Sequence, residues 1–375
     1  MPEKNRVYRA RIEGYTSEGL GVARIDGQAV FVHRALRGED CDVLILKVLK
    51  NAAFGKAVRV YEPSPHRVEP DCPYYGRCGG CDFRHMDRTE ELAAKRQRVQ
   101  DALRRIGGSA VTVEGIDGGA PLHYRNKSQY PVAADGSVGF YKARSHQVVP
   151  VTQCLIQKPQ ADAAAQALRT YIASCGVSCY DEKTRQGLVR HLYIRTNGAG
   201  QSLICVVVNG KKLPGEEELV RLLRQAAPET VGVVLGVNTQ PTGAVLGTEY
   251  RTLWGADVLT DTLCGLTFRL SVPSFYQVNR EMAERLYARA VEFAGLTGTE
   301  TVLDLYCGAG TITQVMARHA GRVIGAEIVP EAIEDAKANA KRNNVENVEF
   351  FCGDASAVAA DLAARGLRPD VICVD

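Results

Sequence analysis

Cys72, Cys78 and Cys81 fall within ten residues, in the run CPYYGRCGGCDF, a spacing that suits thiolates gripping one metal centre. The neighbouring glycines and Pro73 let the backbone fold back on itself, and a fourth ligand has to come from elsewhere. Cys154, alone among polar residues in PVTQCLIQ, is the best candidate. Cys205 and Cys373 lie in apolar, strand-like runs, where a thiol packs as a small hydrophobe. A three-plus-one set fits a [4Fe-4S] cluster better than structural zinc, which favours paired C-x2-C knuckles. The one C-x3-C spacing, Cys175 to Cys179, is followed by Glu182 where a radical-type cluster motif needs cysteine.

A second chemical signal is the turn Asp304-Leu-Tyr-Cys-Gly-Ala-Gly-Thr311. It follows a strand and opens a helix, so Gly308 and Gly310 let a ligand approach the backbone. Glu327, at the tip of the next strand, is placed to bind both hydroxyls of a ribose, and Pro330 suits the first position of the following helix. A dinucleotide site would supply a third glycine for the pyrophosphate, but position 313 is Thr. An acid at Asp304 suits a cationic ligand carrying an amine, which favours S-adenosylmethionine over NAD. Taken alone, Asp304 reads equally well as a turn-forming residue, and Asp354 either meets the adenine or shapes a turn.

These groups need scaffolds, and 375 residues allow two or three domains. Residues 1–62 read as short strands broken by turns such as Asp26-Gly27, fitting a small barrel of the OB type. Arg and Lys punctuate those strands, and Tyr8, Tyr15 and Phe31 offer rings on which bases can stack. Pro63, Pro65 and Pro70 lead into the cysteine run. A helix follows, with Asp87 and Glu90 spaced as a capping box and Gly107-Gly108 as its stop. Short strands return over 121–272. From Asn279 onward strands alternate with helices, which specifies a parallel sheet. No segment approaches the roughly twenty apolar residues of a membrane span. The net charge of +3 by itself excludes little. Reduced cysteines and no signal-peptide pattern point to the cytoplasm.

Together these residues resemble the bacterial RNA uracil-5 methyltransferases that carry an N-terminal TRAM domain and an iron-sulfur cluster, chiefly the 23S ribosomal RNA enzymes. The resemblance rests on GYTSEGLGVARIDG, CPYYGRCGGC with its distant Cys154, HYRNKSQYPV, GFYKARSH, SFYQVN and DLYCGAGTIT. It implies a multidomain α/β chain. The expected parts are a TRAM barrel over 1–62, a central α+β iron-sulfur domain over 63–85 and 121–272, and a Rossmann-like methyltransferase domain over 86–120 and 273–375. It further implies that Gln277, Tyr306, Glu327 and Asp375 hold S-adenosylmethionine and that Cys72, Cys78, Cys81 and Cys154 hold the cluster. The tRNA-specific bacterial relatives generally lack both barrel and cluster, so 23S rRNA is the expected partner, with no membrane and no obligate protein partner.

In that family a thiolate adds to uracil C6, the resulting enolate attacks the sulfonium methyl group, and a base removes the C5 proton. The family's nucleophilic Cys and its Glu follow a D-P-P-R-like turn whose first letter matches Asp375. The expectation is therefore a member truncated at its C-terminus, with an incomplete sheet, an exposed VICV edge and no catalytic dyad of its own. Cys307, Cys352 and Cys373 sit in a turn and in strands and do not replace it. The competing expectation is an RNA-binding iron-sulfur protein without turnover.

Overall fold

Apolar residues at every second position bend the first strands around a common core. In the computed structural model, which describes residues 1–375, β1 (Val7–Arg11), β2 (Gly14–Tyr15), β3 (Gly21–Ile25), β4 (Gln28–His33), β5 (Asp40–Val48) and β6 (Ala52–Glu62) form one sheet. Its order is β1-β5-β6-β4-β3-β2. The link between β1 and β2 bonds to both sides: Ile12 N–H donates to Glu39 O at 2.8 Å and Glu13 N–H to Val22 O at 2.7 Å. The sheet thereby closes into the expected small barrel around Ala23, Val30, Val32, Val43 and Ile45.

The chain divides into two compact units, Met1–Gly118 with Tyr141–His146, and Gly119–Phe140 with Gln147–Asp375. This differs from the three-part expectation, because the cysteine loop and α1 (Arg88–Arg105) belong with the barrel. Glu90 supplies the reason. Asp87 caps the helix by accepting from Glu90 N–H at 2.9 Å, but the Glu90 side chain does not reach back to complete a capping box. It is buried and accepts instead from the Tyr15 hydroxyl at 2.7 Å and from Arg37 Nη2 at 3.1 Å.

In the second unit, β7 (Lys127–Pro131) is followed by a short ribbon of β8 (Gly139–Tyr141) and β9 (Val148–Pro150). β7 joins β10 (Val189–Thr196), β11 (Ser202–Val208), β12 (Thr230–Val237) and β13 (Glu249–Gly255) in a sheet ordered β13-β12-β11-β10-β7. The amphipathic helices α2 (Pro159–Ser174) and α3 (Glu216–Ala226) pack on it through Leu168, Tyr171, Leu219 and Leu223. A hairpin of β14 (Val258–Leu263) and β15 (Leu266–Ser271) leads to α4 (Arg280–Ala294). Thereafter strand and helix alternate: β16 (Thr301–Leu305), α5 (Thr311–Ala317), β17 (Arg322–Glu327), α6 (Pro330–Arg342), β18 (Val348–Cys352), α7 (Ala355–Ala364) and β19 (Val371–Val374). The four strands are parallel in the order β18-β17-β16-β19, as the alternation requires. Ile372 and Val374 lie exposed on the edge strand β19. No helix is long and apolar enough to cross a membrane.

One ion pair ties the loop after the barrel to its core. Glu39 is fully buried and receives Arg67 Nε at 2.5 Å, Arg67 Nη2 at 2.7 Å, Leu36 N–H at 2.8 Å and Ser64 N–H at 3.2 Å. Burial pushes this carboxyl up, but the bonds from Arg67 and the two N–H groups outweigh it and hold it below its ordinary value. Arg67→Met should destabilise the protein to urea by about 3 kcal/mol at pH 7, since it strands a buried charge. A depressed carboxyl stabilises above its unfolded value and loses that contribution as pH falls through the folded one, so the difference should shrink below about pH 4. An equal difference at pH 7 and pH 3 would contradict this role for Glu39.

Candidate active site

The C-terminal ends of parallel strands share one edge, and the sheet gathers its acids there. Where β16 ends, Tyr306, Gly308 and Gly310 all take left-handed backbone angles, with φ of 69°, 55° and 74°. At Gly310 a Cβ would also sit 3.0 Å from Ala336 Cβ and 3.1 Å from Phe350 Cζ, so glycine is required twice over. Tyr306 adopts this conformation without that freedom, so the backbone there is strained, and the ring is 56% exposed at the mouth of the turn.

Asp304 stands immediately inside the turn, fully buried on β16. The Thr313 hydroxyl donates to its Oδ2, whereas its Oδ1 has no partner. Burial, reinforced by the charges of Asp375 and Glu327, pushes this carboxyl up to about 7. Glu327, at the end of β17, accepts from Gly308 N–H at 3.2 Å and Val329 N–H at 3.0 Å, which fixes it against the turn. Gln277 Nε2 donates to Asp375 Oδ2 at 3.1 Å.

The segment carrying Gln277 is pinned to the central sheet. Asn126 donates through Nδ2 to Gln277 O at 3.0 Å and through its N–H to Val278 O at 2.8 Å. Arg195, fully buried on β10, donates to Ser274 O. The structure therefore joins Gln277 to Asp375 and Glu327 to the glycine turn, and sets the charges of Glu327 and Asp375 beside Asp304. Sequence reading missed Asn126 and the role of Thr313. The second had a signal, because a hydroxyl stands where a dinucleotide site would have its third glycine. Asp354 takes the structural alternative: it caps α7, accepting from Ser356 and Ala357 N–H at 3.0 and 3.1 Å.

These residues fit S-adenosylmethionine. Asp304, Glu327 and Asp375 form no ion pair with Lys or Arg, so a ligand carrying a sulfonium and an ammonium would supply the missing positive charge. The glycine turn leaves room beside it, since nothing lies within 4 Å of a Cβ at Gly308.

The thiols nearby are poorly suited to attack carbon. Burial, with Asp304 and Glu327 adding to it, pushes the Cys307 thiol far above its ordinary value. Burial, then Asp304 and Asp375, pushes Cys373 up to about 12. Cys352, at the end of β18, is exposed.

The four cysteines expected to hold a cluster are divided between the two units. Cys72, Cys78 and Cys81 are half-buried on one loop of the first unit, where Gly80 N–H donates to Cys78 Sγ at 3.4 Å. Cys72 and Cys81 both act electrostatically on Arg84. Cys154 belongs to the second unit, its N–H donating to Asp162 Oδ2 at 2.8 Å. No group of three or more Cys, His, Asp or Glu side chains converges as a metal site. The spacing brings the three loop thiols into one neighbourhood, with Cys72 also acting on Cys78.

Iodoacetamide at pH 8 should accordingly label Cys352 more than tenfold faster than Cys307 or Cys373, read by peptide mass spectrometry. Labelling of Cys373 or Cys307 first would show a reactive thiolate at the glycine turn.

Residues 3–58 match the TRAM domain family and residues 296–373 a family described as a methyltransferase domain. A Clostridium tetani protein described as an uncharacterized RNA methyltransferase is 42% identical over 378 residues, spanning 100% of this chain and 82% of its own length. A Halalkalibacterium halodurans protein of the same description is 41% identical, spanning 99% of this chain and 82% of its own. The crystal structure of Pyrococcus abyssi tRNA (uracil-54, C5)-methyltransferase in complex with S-adenosyl-L-homocysteine matches with a TM-score of 0.74 at 22% identity. It covers 92% of this chain and 79% of that one, a likeness of fold. With its TRAM barrel, its parallel methyltransferase sheet and relatives of this identity along its whole length, the chain belongs to the RNA methyltransferase family.

Proposed function

We propose that the chain serves the transfer of a methyl group from S-adenosylmethionine to C5 of uracil in RNA, with 23S rRNA as the substrate. The observation that carries the cofactor is the acidic cage without a cation: Asp304 with an unpartnered buried oxygen, and Glu327 and Asp375 close enough to raise its proton affinity. When bound, the cofactor supplies an electrophilic methyl group on sulfur. Glu327, Gln277, Asp375 and the exposed ring of Tyr306 are the residues that would hold it, Glu327 by its carboxylate toward the ribose hydroxyls. A bound cation would favour the ionised form of Asp304, its proton leaving to solvent, while the Thr313 hydroxyl holds the carboxylate against the turn. Burial holds Cys307 and Cys373 as thiols, so neither is assigned the attack on uracil C6.

Uracil C5 is supported by the fold shared with the Pyrococcus abyssi uracil-54 enzyme and by the motifs that resemble the uracil-5 family. The barrel and the cysteine run favour ribosomal RNA. Nucleoside mass spectrometry of RNA from cells lacking the gene tests both points. Loss of 5-methyluridine from 23S rRNA is expected; loss from tRNA alone would move the substrate. Unchanged 5-methyluridine in both RNAs would leave an RNA-binding protein without this activity.

We also propose that Cys72, Cys78, Cys81 and Cys154 bind a [4Fe-4S] cluster, on the chemistry and spacing of the donors. No step of the reaction is assigned to it. Protein purified without oxygen should be brown with about four irons per chain. Cys78→Ser should bleach it, and replacing Cys205, fully buried on β11, should not. A colourless protein with one tightly held zinc would sink the assignment.

A further inference from the structure

The first unit contains a pocket of about 490 Å³ that the methyl-transfer site does not use. Its walls include Arg34, Arg67, Glu69, Cys72, Tyr75 and His85, while Cys78 and Cys81 stand outside them. Two of these walls are incompletely satisfied, Arg34 having no carboxylate and His85 one ring nitrogen without a partner. Arg34 follows β4 in a left-handed conformation, φ 58°, that lays its guanidinium over the Tyr75 ring, 5.1 Å from the centroid. It is exposed, and no carboxylate pairs with it. The other cation, Arg67, is already committed to Glu39.

His85 is 98% buried, since only 2% of it is exposed. Its tautomer follows from its neighbours. The Tyr75 hydroxyl donates its single proton to Asp82 O at 2.8 Å, so its oxygen must accept from His85 Nδ1–H at 2.6 Å. With the proton on Nδ1, Nε2 is an acceptor without a partner, closed off from solvent in the pocket wall, so a donor reaches it only when the wall gives way. Burial, with Arg67 next, pushes His85 down to about 4, so the ring stays neutral and Nε2 keeps its lone pair at physiological pH. The pocket thus pairs a free cation with a buried acceptor that lacks a donor. A phosphate next to a hydroxyl answers both, and a ribonucleotide carries that combination where a deoxyribonucleotide does not.

We propose that this pocket receives one nucleotide of the RNA substrate, with its phosphate on Arg34 and its ribose 2′-hydroxyl donating to His85 Nε2. The pocket makes the first unit a reader of RNA as against DNA. It rests on the RNA-methyltransferase reading above, and its test separates the two.

Fluorescence anisotropy with a labelled single-stranded RNA and the DNA of the same sequence reads the proposal in the intact chain. The parent protein should prefer RNA, and His85→Asn should cut that preference about tenfold by weakening RNA and not DNA. The asparagine amide keeps a donor toward Tyr75 while removing the Nε2 acceptor. Arg34→Gln should weaken both ligands and lower the salt slope by about one. In the parent protein, the ¹⁵N resonance of His85 Nε2 should shift on adding RNA but not DNA, a measurement that does not depend on a variant's folding. Excess uridine 5′-monophosphate should leave the His85-dependent increment in place; its loss would assign the pocket to a free nucleotide and overturn the proposal. Unchanged RNA preference in His85→Asn together with an unmoved resonance would overturn it while RNA binding itself stands. Absence of RNA binding by the parent would instead remove the reading beneath it.

Discussion

Asp304 has a carboxyl taken out of water, bonded on one oxygen only, and placed with two further acids in its field; the neighbouring turn is arranged around that charge. A parallel sheet brings this about, because it aligns the ends of β16, β17 and β19 and so collects Asp304, Glu327 and Asp375 at one edge. Ordinary folds neutralise such a group with Lys or Arg. Here the nearest donors are a threonine hydroxyl and backbone N–H groups, which orient the acids without cancelling their charge. On the proposed function a cation from outside completes the site, and a sulfonium-bearing amino acid meets that condition.

The same edge depends on the central sheet. Asn126 receives Thr196 N–H at 2.8 Å and passes two bonds on to Gln277 and Val278, so β10 reaches the cofactor side through one residue. Arg195 adds a bond to Ser274 from deep inside the sheet, with Nε and Nη1 left without partners. Burial, then Arg195 and Arg125, holds the neighbouring Lys127 ammonium below its ordinary value. Positive charge thus lies on the central-sheet side of the Gln277 segment and negative charge on the methyltransferase side. This division suits an anionic polymer meeting a cationic cofactor.

Much of this was legible in the sequence where a local pattern carries the structure by itself. The alternation after Asn279, the glycine turn and the short strands before residue 62 depend on periodicity and backbone freedom, and all three formed. What local pattern cannot convey is which unit a segment joins. Asp87 and Glu90 read as a capping box, yet Glu90 gains more as the buried partner of Tyr15 and Arg37, and that choice carries α1 to the barrel. Tyr15, read as a stacking surface, spends its hydroxyl on the same contact. Likewise the spacing of Cys72, Cys78 and Cys81 sets their shared neighbourhood but does not tell that Cys154 folds with the other unit. Asn126 escaped notice because its value lies in a contact 151 residues away along the chain.

The central claim, that the acids around the glycine turn await a cation, is tested most directly by ¹³C NMR titration of the Asp304 side-chain carboxyl with and without S-adenosylmethionine. Without the cofactor its midpoint should lie at about 7; with the cofactor bound it should fall by at least about two units, as expected for an opposite charge close by. A midpoint at the ordinary value of about 4 in the free protein, or one that S-adenosylmethionine leaves in place, would contradict the account.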